Sequence, residues 1–376
     1  MTTSWHRFRA IVRKEFIQMR RDRLTFAMMV GIPIIQLILF GAAINPDPKR
    51  LPTAVVSADH TELTRTLVST FQTSGYFAIV APDAADTEAS RLLRRGDVQF
   101  VLRIPANFTS DVVRGERPGL LLEADGSDPV TIGNALGAVN EILSRALYRE
   151  LLGTLAVSGG GPPAVDLRIH RHYNPEAIAQ YNIVPGLMGV ILTMTMIVMT
   201  ALAVTRESER GTMENLLSMP VRPLEVMVGK IVPYIMIGYI QVSVVLVAAR
   251  WIFAVPIGGN IALLLLVVLV FVLANLTVGI VFSSIAQNQM QALQMGFFFF
   301  LPSLLLSGFM FPFRGMPDWA QWLGNVLPLT HFLRIVRGIL LKSWGPSESL
   351  PEVWPMLLFT TFVLLIGLRR FRRTLD

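Results

Sequence analysis

The stretch IVPGLMGVILTMTMIVMTALAVT, residues 183–205, runs straight into RESERGTMENLLSMPVRPLEVMVGKIVPY, residues 206–234, and this junction decides the fold. The first half carries no charge and is long enough to cross hydrocarbon, which takes about 20 apolar residues per helix. The second half turns charged at once and then becomes apolar again. A chain that leaves a bilayer, stays briefly in water and re-enters reads in this way.

Working outward, further uncharged apolar runs occupy residues 24–44, 231–249, 261–286, 291–313 and 353–368. With flanking residues included, the six spans read as 24–44, 181–205, 229–251, 260–286, 289–313 and 352–368. The first run follows basic residues as a signal peptide would. It is longer than the roughly 7–15 residue core of such a peptide, so a retained anchor is expected. The 376 residues are 52% hydrophobic and only 16% charged. About a quarter is usual in soluble proteins, and the deficit here is concentrated in these runs.

The net charge of +7 comes from Arg and Lys beside the apolar runs, where they would face a membrane surface; no nucleic-acid partner is expected. Arg7, Arg9, Arg13, Lys14, Arg20, Arg21 and Arg23 precede the first run, and Arg369, Arg370, Arg372 and Arg373 follow the last. Arg206, Arg210, Arg222 and Lys230 fall between the second and third. Positive-inside bias therefore places both termini, the basic tail 369–376 and the 206–228 loop in the cytoplasm. Within residues 1–23, Trp5, Phe8, Val12, Phe16 and Met19 recur at helical steps, which predicts an amphipathic helix along the cytoplasmic interface.

Residues 327–341 are apolar but contain Arg334 and Arg337. Each arginine would cost about 2.5–3.5 kcal/mol at the centre of a spanning helix. A seventh span would also put the basic tail outside. The segment 314–350 is therefore read as re-entrant or interfacial on the outer face, with both arginines snorkelling to water.

Residues 45–180 form one long polar insertion between the first two spans. Strand-like stretches at 53–57, 77–80, 97–104 and 120–123 alternate with helix-like stretches at 62–72, 84–95, 107–114 and 131–155. Such alternation predicts a small α/β domain. Ser158-Gly-Gly-Gly-Pro-Pro163 reads as a flexible linker. The whole is thus an α-helical polytopic membrane protein of six transmembrane helices, with an α/β extracytoplasmic domain inserted between spans one and two.

In the 206–228 loop, residues 206–218 have helical potential. Arg210 and Glu214 are spaced for an i,i+4 pair, and Glu207 and Arg210 for an i,i+3 pair. Met213, Leu216 and Leu217 add a small apolar stripe, and Pro220 and Pro223 end the helix. A short helix with both charge and apolar contact suits docking to another protein; a solvated connector would share these features.

Several chemistries are excluded or disfavoured. There is no cysteine, hence no disulfide, thiolate or Cys-ligated metal. Phosphate-loop spacing is missing: the only Gly-Lys pair, Gly229-Lys230, is followed by Ile231. No Asp, Glu or Lys lies inside the uncharged runs, which argues against an ion-coupled carrier. Gln36, Gln241, Asn275 and Gln294 are the polar residues at membrane depth. They read as interhelical hydrogen-bonding groups or as lining of a translocation path. Phe297 to Phe300 and the methionines of span two fit helix packing or lipid contact as well as soft cargo contact. His170 and His172 have no third ligand patterned beside them, so a solvated strand or loop is expected and no metal. His331 is expected to satisfy a buried carbonyl or carboxylate.

At these residues the chain resembles the permease subunits of ABC-2 type exporters, especially the drug-efflux branch with a large extracytoplasmic domain. RESERGTMENLLSMP with EVMVGKIVPY carries the resemblance. YNPEAIAQYNIVPGL (173–187), FPFRGMPDWAQWLGNVLPLTHFLRIVRGILLK (311–342) and RKEFIQMRRDR (13–23) are similar to family segments in the same order. The resemblance implies a dimer with a second copy or a sibling permease, and a cytoplasmic ABC ATPase subunit. This chain would then bind no cofactor, the ATP being held by the partner. It also implies a coupling helix in which Arg206, Glu207, Glu209, Arg210, Gly211, Thr212, Met213, Glu214 and Leu217 meet that ATPase. Pro328, Thr330, His331, Arg334 and Arg337 would match the re-entrant outer segment. Drug-efflux relatives in diderm bacteria add a periplasmic adaptor and an outer-membrane channel, and the implied location is the inner membrane, among its lipids. Two other classes compete: a membrane-anchored sensor using the insertion as its ligand domain, for which six spans are excessive, and an intramembrane enzyme, for which no catalytic pair is present.

Overall fold

The computed structural model describes residues 48–151, 165–209 and 223–373. The expected first span, the amphipathic helix before it, the 158–163 linker and residues 210–222 lie outside the described residues.

The insertion is a five-stranded sheet in the order β2-β1-β3-β4-β5. Its strands are β1 (Leu51–Ser57), β2 (Phe77–Ala81), β3 (Phe100–Ile104), β4 (Gly119–Asp125) and β5 (Asp166–His172). β1 runs parallel to both β2 and β3, β3 pairs antiparallel with β4, and β4 pairs parallel with β5. The connecting helices are α1 (Glu62–Thr73), α2 (Asp86–Arg95), α3 (Phe108–Val113) and α4 (Pro129–Leu151).

Alternation along the strands sorts the side chains. Phe100, Leu102, Leu120 and Leu122 point to one face, where Leu67 and Phe71 of α1 and Ile132, Ala135 and Val139 of α4 bury them. On the other face α2 packs against β1 and β3, through Ala54, Ala89, Leu93 and Val101, and also approaches β4. α2 is a short helix stabilised at both ends. Asp86 and Glu88 stand in its first turn and Arg94 and Arg95 in its last, opposing the helix dipole. It stops at Gly96, whose φ of +80° is left-handed and suits glycine.

Among the described residues six longer helices follow: α5 (Ala179–Glu209), α6 (Pro223–Trp251), α7 (Ile261–Ile285), α8 (Gln289–Leu306), α10 (Pro328–Lys342) and α11 (Pro346–Arg373), with the short α9 (Asp318–Val326) between α8 and α10. Among the described residues five segments are long and apolar enough to cross a membrane: Ala179–Arg206, Val232–Trp251, Ile261–Ile285, Gln289–Leu306 and Pro346–Gly367.

Several boundaries differ from the sequence reading, each for a local reason. α5 continues unbroken past residue 205 to Glu209, because nothing in Arg206–Glu209 breaks a helix. α6 runs from Pro223, the first described residue after 209, so the expected loop helix before it lies outside the described residues. α8 ends at Leu306, short of residue 313, where Gly308 takes a φ of +81°. α11 begins at Pro346, so Glu348 and Glu352 ride on its first turns.

The spans are joined through small residues. A Cβ on Gly279 of α7 would lie 2.8 Å from the Ile197 carbonyl oxygen and 2.9 Å from Thr200 Cβ of α5. Backbones approach this closely only where a side chain is missing, a common device in membrane helix pairs. Overpacking typically costs about 1–3 kcal/mol. Gly279→Val should therefore lower the thermal midpoint of the detergent-solubilised chain, with Gly279→Ala intermediate; scanning denaturation of the three proteins checks the order.

Candidate functional site

α10 carries the unusual chemistry of the membrane part. At 1.5 Å per residue it is about 22 Å long, too short for hydrocarbon about 30 Å thick. Pro328 sits at its start and is buried. The helix is seated among α5, α7 and α11 and does not lie on a surface. Phe332 stacks on Phe271 of α7 with ring centroids 4.0 Å apart. Gly189 of α5 leaves room for Leu329 and Phe332.

The polar residues of α10, Thr330, His331, Arg334, Arg337 and Lys342, fall along one side of the helix. Thr330 Oγ1 donates to the Gly324 carbonyl at 2.6 Å. His331 Nδ1 lies 2.5 Å from Glu352 Oε2 and Nε2 lies 2.7 Å from the Asn325 carbonyl, so the imidazole meets both the carboxylate and the carbonyl expected of it. Arg334 donates to Glu352 Oε2 at 3.3 Å and to Asn325 Oδ1 at 3.0 Å, with its guanidinium over the Phe313 ring. Arg337 donates to the Gly308 carbonyl and, at 2.9 Å, to Asn182 Oδ1. Its Nε has no hydrogen-bond partner among the described residues. The two arginines, expected to snorkel outward, are instead held by protein groups, because α10 is enclosed by its neighbours.

Lys342, at the end of α10, forms a buried ion pair with Asp125 of β4. Three further contacts join the same region to the sheet domain. Trp344 Nε1 donates to the Arg94 carbonyl at 2.8 Å, Arg94 pairs with Glu348, and Arg314 donates to the Gly96 carbonyl at 2.9 Å. Burial, and after it the nearby Arg334, pushes the Arg314 guanidinium below its ordinary range. Burial, with Asp125 beside it, pushes the Tyr173 phenol up to about 12, which keeps it neutral. Between domain and helices lies a cavity of about 390 Å³, lined among others by Asp97, Asp125, Arg314, Arg334, Arg337 and Glu352. Its charged rim can hold water or a polar group next to α10.

At the opposite end of α5, Glu209 Oε1 accepts from the Gln289 backbone N–H at 2.8 Å, the first residue of α8, and Arg206 Nε donates to Gln289 Oε1 at 3.3 Å. A carboxylate at a helix start is favourable, so the tail of α5 caps α8. Arg210, Gly211, Thr212, Met213, Glu214 and Leu217 lie outside the described residues, as does Gln36. Gln241 Oε1 accepts from Thr195 Oγ1 of α5 at 2.9 Å. Asn275 is buried and donates to the Phe271 carbonyl of its own helix. Gln294 Oε1 is buried without a partner among the described residues.

His170 and His172 do have a carboxylate beside them: parallel pairing of β4 with β5 sets Glu123 opposite His170. That neighbour comes from distant sequence, so no local spacing could have revealed it.

The family model described as "ABC-2 family transporter protein" matches residues 23–369. The chain belongs to the ABC-2 transporter family. Among relatives of this ABC-2 protein, "Probable multidrug ABC transporter permease YbhS" of Escherichia coli (strain K12) is 29% identical, over 99% of this chain and 98% of its own length. "Probable multidrug ABC transporter permease YbhR" of the same strain is 27% identical, over 98% of this chain and 99% of its own. "ABC transporter G family member 20" of Dictyostelium discoideum is 25% identical over 96% of this chain, but this chain covers 50% of that protein. The ABC-2 protein is thus a permease subunit of an ABC exporter and a multi-pass membrane protein.

Removing one partner of a buried ion pair costs about 3–5 kcal/mol, whereas replacing both by apolar groups can be neutral. Lys342→Met and Asp125→Leu should each destabilise strongly, and the double variant should recover most of the loss. A double-mutant cycle by thermal denaturation measures this.

Proposed function

We propose that this chain forms, as a dimer with a second copy or a sibling permease, the path of an inner-membrane exporter for hydrophobic compounds, drugs among them. ATP is hydrolysed on a separate cytoplasmic ABC ATPase subunit, and this chain binds no cofactor for that step. The observation that carries the reading is the family match over residues 23–369, together with near-complete coverage of relatives named multidrug permeases.

The mechanism starts at residues 206–217, on the same side as both termini. The ATPase engages Glu207, Arg210, Thr212, Glu214 and Leu217, while Glu209, from the same segment, is turned to the start of α8. Displacement of this segment reaches α5 directly, and reaches α8 through the Glu209–Gln289 cap. α10 packs against α5 and stands beneath the sheet domain, so motion of α5 is passed to the outer face. Gln36, Gln241, Asn275 and Gln294 offer polar lining along the way. A periplasmic adaptor and an outer-membrane channel would receive cargo beyond the sheet domain.

Two variants separate docking from transmission. Glu207→Lys with Glu214→Lys should abolish co-purification of the ATPase while leaving membrane insertion intact. Glu209→Gln should keep the ATPase bound but lower drug efflux, because it weakens a charge-assisted cap worth about 0.3–1 kcal/mol. Normal ATPase association and efflux in the double lysine variant would overturn the proposal.

A further inference from the structure

Glu123, His170 and His172 each offer one ligand atom, and these atoms all lie within 4.8 Å of one another. We infer that they form a binding site for a divalent transition metal of the zinc class on the outer part of the protein.

The arrangement follows from strand geometry. Residues two apart on a strand point to the same face, so β5 presents both imidazoles together. In the parallel register Glu123 of β4 faces His170, and it sits diagonally from His172. His172 Nε2 stands 3.1 Å from Glu123 Oε1, and the two imidazole centroids are 4.4 Å apart. Ligand atoms about 2.0–2.1 Å from a tetrahedral zinc lie roughly 3.3–3.5 Å from one another. His172 and Glu123 are already near that separation. His170 is exposed and needs only a change of side-chain rotamer to close the third edge.

Glu123 is fixed for the task. It is buried, and its second oxygen accepts from Arg103 Nε at 2.7 Å. Arg103 is itself paired with Asp86 of α2, which offsets its charge. The carboxylate is thereby held to offer Oε1 alone, the oriented monodentate ligand that a metal site requires. Two imidazoles and one carboxylate suit zinc, cobalt, nickel or copper; calcium and magnesium, which take oxygen donors, fit poorly. Three protein ligands leave a fourth position for water or another ligand. The site ties β5 to β4 two residues before Asp125, the residue that joins the domain to α10.

The test uses the full chain in detergent, purified through a tag without histidine and stripped with a chelator. Titration with Zn2+ should raise the melting temperature. Titration with Co2+ should give the visible absorption of a low-symmetry nitrogen–oxygen site at one metal per chain. Losing a group that merely orients a ligand already weakens metal binding about 10–100-fold. His170→Ala, a change at an exposed side chain, should therefore weaken binding at least about 100-fold. His172→Ala should do the same, and His60→Ala should bind like wild type. Three results would overturn the inference: no thermal or spectral response of the wild type to Zn2+ or Co2+, wild-type binding by His170→Ala, or an equal response to Ca2+ or Mg2+.

Discussion

Charge enclosed among apolar helices must be answered by the protein, and α10 is where this chain meets that demand. Its fifteen residues carry His331, Arg334, Arg337 and Lys342. Each would be costly in hydrocarbon, and each finds a partner on a different element: Glu352 on α11, Asn325 on α9, Asn182 on α5 and Asp125 on β4. The helix thereby becomes the common neighbour of spans and sheet. Its apolar side contributes the Phe271–Phe332 stack and the fit against Gly189, so polar satisfaction and packing hold the same element from two sides.

The sheet domain depends on this arrangement at its lower edge. α2 and the end of β4 are the parts that reach down, through Arg94, Gly96 and Asp125. The core made by α1 and α4 lies on the other face and is closed on itself. Domain stability and domain attachment therefore rest on separate sets of residues. Changes at Phe71 or Leu122 act on the first, and changes at Asp125 or Arg314 act on the second.

Much of this was legible before any coordinates. Long uncharged runs located the apolar helices, because hydrocarbon thickness leaves little freedom of length. Alternating short strands and helices located most of the α/β elements, each within a few residues. β5 was not read as a strand since Asp166–His172 is mostly polar; among the described residues it is an outermost strand with one neighbour. The enclosure of Arg337 was equally hidden, as Asn182 stands 155 residues away in sequence. The third partner of His170 and His172 needed the β4–β5 register, which no local pattern encodes.

Among the described residues, β5 is one margin of the sheet. Asp166, Arg168, His170, Arg171 and His172 are crowded along it. Copies of a membrane protein share one plane and hold their outer domains at one height, so unguarded sheet margins would meet repeatedly and could zip together. A row of polar and charged side chains makes such lateral annealing unfavourable. The strand least visible to hydrophobic patterning is thus the one that keeps neighbouring domains from fusing into a continuous sheet.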